Sequence, residues 1–69
     1  MTHVCVNSTA RGAFNLGYRA TVVGDATATR DLPGIDGGIV PAPLLKAATL
    51  AGIRDLFAVV VPRVDDLPA

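Results

Sequence analysis

Apolar and small side chains recur at Val6, Ala10, Ala13, Phe14 and Gly17, at spacings of three and four. That places them on one face of a helix and predicts a helix over Val4 to Leu16. Asn7, Arg11 and Asn15 form a separate i, i+4 row suited to solvent or to the edge of a pocket. Gly17 fits the left-handed position that ends many helices, and Tyr18 is expected to pack back on the helix as the chain turns. The segment Tyr18 to Gly24 holds the β-branched run Ala20-Thr21-Val22-Val23 between glycines, which reads as a strand. Its near-continuous apolar character suits a sheet covered on both faces. Residues Asp25 to Pro41 carry turn chemistry, with Asp31-Leu32-Pro33-Gly34 followed by Asp36-Gly37-Gly38, and are expected to form one long loop.

A second helix is expected to start near Pro43. Leu44, Ala47, Ala48, Ala51 and Asp55 trace its i, i+3, i+4 pattern, with Leu50, Ile53 and Phe57 beside them. Gly52 costs a helix about 1 kcal/mol relative to alanine, so the helix is expected to fray or end soon after it. Ala58-Val59-Val60-Val61 is a second buried strand that Pro62 stops, and Arg63 to Ala69 is a polar, loosely held tail. Helix–strand–helix–strand with short links is βαβ wiring and gives an α/β class. Two parallel strands make too small a sheet alone, and the wiring expects another strand ahead of Cys5.

Composition narrows the classes. The chain has 69 residues, 51% of them hydrophobic, and six basic residues balance six acidic ones. Two domains do not fit this length, and the apolar content excludes a disordered tail. The balanced charge argues against a nucleic-acid binder, and no run approaches the roughly 20 apolar residues of a membrane span. The aromatics are only Phe14, Tyr18 and Phe57, and a chain of this size is marginal. One cysteine gives neither an internal disulfide nor a metal site, so no cofactor or metal is expected. The first residues lack the pattern of a signal peptide, so a cytoplasmic location is expected.

Cys5 is the residue with the most chemistry. At the start of a helix, unpaired N–H groups and the helix dipole stabilise a thiolate and can also hold an oxyanion. Position alone leaves a buried, inert cysteine as the alternative. The surrounding residues are more specific. Thr2-His3-Val4-Cys5-Val6-Asn7-Ser8-Thr9-Ala10-Arg11, Ala13-Phe14, Gly17-Tyr18 and Val22-Val23-Gly24-Asp25-Ala26-Thr27-Ala28 together resemble the isochorismatase-like cysteine hydrolase superfamily. That superfamily includes nicotinamidases, N-carbamoyl amidases and isochorismatases. Its pattern is a T-x-x-C-V-x-x-T-A segment, a G-Y turn into a strand and a D-A-x-A loop. The stretch from Leu50-Ala51 to Phe57-Ala58-Val59-Val60 resembles its last helix and strand.

The resemblance implies a three-layer α/β/α fold with a mostly parallel sheet, of which residues 1–69 are the C-terminal portion. It implies Cys5 as nucleophile and the backbone N–H groups of Cys5 and Met1 as the oxyanion hole. The thiolate attacks a carbonyl carbon, ammonia or an amine leaves, and water hydrolyses the thioester. The family's Asp base and supporting Lys come well before the cysteine, as do the metal-binding residues of some members. Asp25 and Lys46 are therefore not substitutes: Asp25 is expected to serve its turn, and Lys46 to face solvent.

The remaining candidates take plainer roles. His3 with Cys5 lacks the ligands of a metal site, and a rim or interface histidine is expected. Thr2 and Thr9 are expected to cap or pack the first helix. Asn7 and Ser8 are surface or interface residues before they are substrate contacts, Arg30 beside Asp31 is a surface pair, and Asp36-Gly37-Gly38 is a turn. The function that follows is a fragment of a cysteine hydrolase acting on a small amide, carbamoyl or related C–N bond, inactive as the isolated chain. Its partners are a small-molecule substrate in the complete protein and copies of itself in a homo-oligomer, with no nucleic acid and no membrane. The alternative is a non-catalytic interaction module that donates its strands to a partner sheet.

Overall fold

The computed structural model describes residues 1–67. The chain opens with a π-helical turn, Thr2–Val6, that runs straight into α1, Asn7–Asn15. Strand β1, Ala20–Val23, follows, then a 3-10 turn at Gly24–Ala26. A two-residue hairpin, β2 at Leu32–Pro33 and β3 at Ile39–Val40, interrupts the segment expected to be loop. Helix α2, Ala42–Leu56, leads to β4, Ala58–Val61, and a last 3-10 turn covers Val64–Asp66. Pro68 and Ala69, the end of the expected tail, lie outside the described residues. The class is α/β: β1 and β4 pair in parallel, with Ala20 opposite Ala58 and Val23 opposite Val61. None of the described helices is long and apolar enough to cross a membrane.

The stop of α1 follows from its sequence. Gly17 adopts φ +87°, a conformation a side chain resists. Its N–H donates to the Phe14 carbonyl at 3.0 Å, and the Tyr18 N–H donates to the Ala13 carbonyl at 2.9 Å. This crossed pair satisfies two carbonyls that a helix end leaves free. Tyr18 itself stays 69% exposed, so the hydrogen bonds make the cap and the ring does not pack back on the helix.

Helix α2 departs from its sequence pattern in two ways. It runs past Gly52 to Leu56, because Ile53 is completely buried one residue later and anchors the last turn. Its inward face carries Leu45, Thr49, Ile53 and Phe57, four residues apart, whereas Leu44, Ala47, Ala48, Ala51 and Asp55 are exposed. The expected stripe is a second apolar face. Area decides between the two: burying a branched Ile or Leu removes far more surface from water than burying alanines. The N-terminus of α2 is held from outside the helix, where the Ala42 N–H donates to Asp31 Oδ1 at 2.7 Å. Asp31 is thus a helix cap and not the surface partner of Arg30.

Among the described residues only Thr2, Ala10, Gly24 and Ile53 are buried. They tie the π-turn, α1, the end of β1 and α2 together. The sheet is less covered than its apolar strands suggested. Ala20, Val22, Ala58 and Val60 are half-buried, while the paired Thr21 and Val59, pointing the other way, are exposed. Phe14 and Phe57 close one end of the helix pair edge to face, with ring centroids 5.2 Å apart. The Arg11 guanidinium lies 4.3 Å from the Phe57 ring centre, and its Nε donates to Asn7 Oδ1.

Candidate functional site

Cys5 belongs to the π-turn and lies ahead of α1 instead of in its first residues. In an α-helix the Cys5 N–H would donate to the Met1 carbonyl, four residues back. Here that carbonyl takes the N–H of Val4 at 3.2 Å and of Val6 at 3.3 Å and passes over Cys5. The Asn7 N–H likewise reaches the Thr2 carbonyl five residues back, and it is shared with the Val4 carbonyl three residues back. Single π-turns are rare and are frequent at functional sites. The thiol is unpaired, and Cys5 is exposed in this chain.

Cys5 sits on a cleft of about 340 Å³. Val6, Thr9, Ala10 and Ala13 of the first helical segment form one wall, and Ala20, Thr21 and Val22 of β1 form the other. The sheet is β1 and β4 alone, so β1 has one paired edge. The cleft walls are mostly methyl groups, and they suit apolar packing better than they suit a polar ligand.

The charged candidates Asp25 and Lys46 lie on a second hollow, of about 600 Å³, that Cys5 does not line. Asp25, Lys46 and Arg54 line it along with Ala47, Leu50 and Val61. Lys46 is half-buried on this wall and does not simply face solvent. The turn at Asp25 is closed by Thr27, whose N–H and Oγ1 both donate to the Gly24 carbonyl, so Asp25 contributes its N–H, to the Pro62 carbonyl at 2.9 Å.

His3 finds its partner far along the chain: Nδ1 lies 2.6 Å from the Thr29 hydroxyl. Thr2 is wholly buried and packs instead of capping; its Oγ1 has no hydrogen-bond partner among the described residues. Thr9 and Ser8 are exposed, and Asn7 is taken up by Arg11. Asp36 Oδ1 accepts the Gly38 N–H and makes the turn its sequence suggested. Among the described residues no group of three or more His, Cys, Asp or Glu could hold a metal ion.

Sequence reasoning missed the π-turn, Thr29 and Asp31. Thr29 and Asp31 sit in a stretch whose only sequence signal is turn composition, and their partners are 26 and 11 residues away.

Known proteins resemble this chain over most of its length. The model of the isochorismatase domain matches residues 1–63. The secreted isochorismatase effector Isc1 of Verticillium dahliae is 43% identical over 94% of this chain, which covers 32% of that protein. The isochorismatase-like protein asqB of Emericella nidulans is 38% identical over 88% of the chain, or 41% of its own length. An isochorismatase crystal structure from Pseudomonas putida superposes with a TM-score of 0.85 at 45% identity, covering 90% of this chain and 31% of that one. The chain thus spans about a third of the length of the relatives it matches.

Proposed function

This chain belongs to the isochorismatase family, and from that premise we propose that it carries the nucleophile segment of a cysteine hydrolase acting on a small amide, carbamoyl or related C–N bond. The observation that carries the reading is the placement of Cys5: an exposed thiol on a π-turn whose Met1 carbonyl passes over the Cys5 N–H. An amide that does not donate to the carbonyl four residues back is placed to serve as a donor for a developing oxyanion. Cys5 Sγ attacks the carbonyl carbon, and charge collects on the carbonyl oxygen beside the Cys5 N–H, with the Met1 N–H as second donor. The C–N bond then breaks, the amine leaves with a proton, and water hydrolyses the thioester to the acid and the free thiol.

Proton transfer to the amine needs a general acid–base, and Asp25 lines a different hollow from the cysteine. That group and its supporting cation come from the remaining part of the family domain. The same part supplies the substrate pocket, because the walls of the Cys5 cleft are apolar packing surfaces. The 69-residue chain alone is therefore inactive. We propose further that the complete protein is a homo-oligomer of the cytoplasm.

The test is hydrolysis of nicotinamide and of an N-carbamoyl amino acid by the complete domain, followed by release of ammonia, with and without Cys5→Ala. Mass spectrometry of the quenched enzyme checks for an acyl group on Cys5. Unchanged ammonia release by the alanine variant would overturn the nucleophile assignment. Turnover by the 69-residue chain alone would overturn the reading that the base lies elsewhere.

A further inference from the structure

We propose that His3 and Thr29 are positioning residues that hold the π-turn carrying Cys5 in its open geometry; this rests on the reading of Cys5 as the nucleophile. A π-helical turn has poorer intrinsic stability than an α-turn and persists where its surroundings impose it. This one stands at the N-terminal end of the helical segment, where backbone donors lack helical partners and the chain tends to fray. Something outside the helix has to fix it.

The segment Thr27 to Asp31 does so. It has no regular secondary structure beyond its ends, yet it is pinned along its whole length. Thr27 donates twice to the Gly24 carbonyl at the end of β1. The Ala28 carbonyl accepts the Thr2 N–H at 2.9 Å. Thr29 Oγ1 meets His3 Nδ1 at 2.6 Å in a half-buried setting. Asp31 Oδ1 caps α2 through the Ala42 N–H. The strap is thereby referenced to β1 and to α2, and it transmits that reference to two successive residues of the π-turn. Cys5 is two residues beyond His3. Of the two strap contacts to the turn, the Thr2–Ala28 bond is backbone and available to any sequence. The His3–Thr29 bond is the one the side chains specify.

The experiment reads Cys5 directly. The rate of Cys5 carboxamidomethylation by iodoacetamide is measured by intact mass in native buffer and in concentrated urea at one pH. The ratio of the two rates reports how far the fold sets the reactivity of this thiol. Thr29→Val keeps the shape and removes the hydroxyl; Thr29→Ser keeps the hydroxyl; His3→Asn keeps a polar atom near the Nδ1 position. Thr29→Val is expected to move the ratio toward one by about two- to tenfold, the span of a single side-chain hydrogen bond. Thr29→Ser and His3→Asn are expected to retain most of the unsubstituted value.

Gly17→Ala is the control for a merely structural effect: it strains the left-handed residue at the far end of α1, lowers the melting temperature without touching the strap or the π-turn, and leaves the ratio in place. The proposal is overturned if Thr29→Val leaves the ratio unchanged, if Thr29→Ser shifts it equally, or if Gly17→Ala shifts it as much. A ratio of one in the unsubstituted chain overturns it too, since the fold then sets nothing at Cys5. None of these outcomes bears on the alanine test of the nucleophile, so the two readings fail separately.

Discussion

Two residues of α2 offer a controlled perturbation of the interior. Ile53 is 0% exposed and Leu44 is 59% exposed, although both are large aliphatic side chains of one helix. Ile53→Val removes one buried methyl group and is expected to cost about 1 kcal/mol; Ile53→Ala leaves a cavity and is expected to cost about 2–5 kcal/mol. Leu44→Ala removes atoms that are already mostly in water and is expected to change stability by no more than about 0.5 kcal/mol. A chain of 69 residues has a total stability of roughly 3–10 kcal/mol by the usual per-residue range. Ile53→Ala therefore removes a large share of it.

The assay is thermal unfolding followed by far-ultraviolet circular dichroism. At this size the unfolding entropy is about 0.15 kcal/mol/K, so each kcal/mol moves the midpoint by about 7 °C. Ile53→Val is expected to lower the midpoint by about that much, and Ile53→Ala to abolish a cooperative transition at ordinary temperatures. Leu44→Ala is expected to move it by a few degrees at most. Equal losses at Leu44 and Ile53 would refute the assignment of the inward face. A negligible loss at both would refute the claim that α2 is held by burial at all.

Other expectations follow from single positions. A Cβ at Gly52 meets nothing within 4 Å, so Gly52→Ala should stabilise α2 by about 0.5–1 kcal/mol. Gly17→Ala should destabilise by about 1 kcal/mol or more because of its φ of +87°; melting midpoints that move the same way for both glycines would contradict this. Thr2→Val keeps the packing and removes a buried hydroxyl without a partner, and urea titration should show a gain of about 1 kcal/mol. A loss would mean that the hydroxyl is bonded. Arg11 over Phe57 should give a coupling of about 0.5–1 kcal/mol in a double-mutant cycle with Arg11→Ala and Phe57→Leu, and zero coupling would show the contact to be idle.

Much of this was legible in the sequence where local physics decides. The Gly17 stop, the strand Ala20–Val23 and the strand Ala58–Val61 rest on backbone conformation and β-branched runs, which act over a few residues. The family pattern around Cys5 was legible for the same reason, since its residues are contiguous. The π-turn was not, because it is imposed by the strap from Thr27 to Asp31 and no helical periodicity encodes that. His3 looked like a rim histidine because Thr29 is a distant residue in what reads as turn composition. The end of α2 was misread at Gly52 because a local propensity of about 1 kcal/mol was outweighed by the burial of Ile53.

The misread face of α2 has a different origin. Leu44, Ala47, Ala48 and Ala51 are a genuine apolar stripe, but they face out and in part line the larger hollow. The accessible surface of the chain is 4846 Å², against about 4,100 Å² expected for a folded monomer of its mass. Its radius of gyration is 12.6 Å, against about 11 Å for a compact chain of this length. The excess area is close to the roughly 800 Å² that one partner contributes to a standard interface. Apolar surface is exposed at Leu44 of the α2 stripe and Val59 of the sheet as well as at Ile35 and Ile39 of the hairpin, and the groove beside Cys5 is apolar. A helix with two apolar faces belongs between two layers, and a chain spanning about a third of its relatives' length can present only one of them. The stripe that misleads within the chain is an apolar face that these residues leave uncovered.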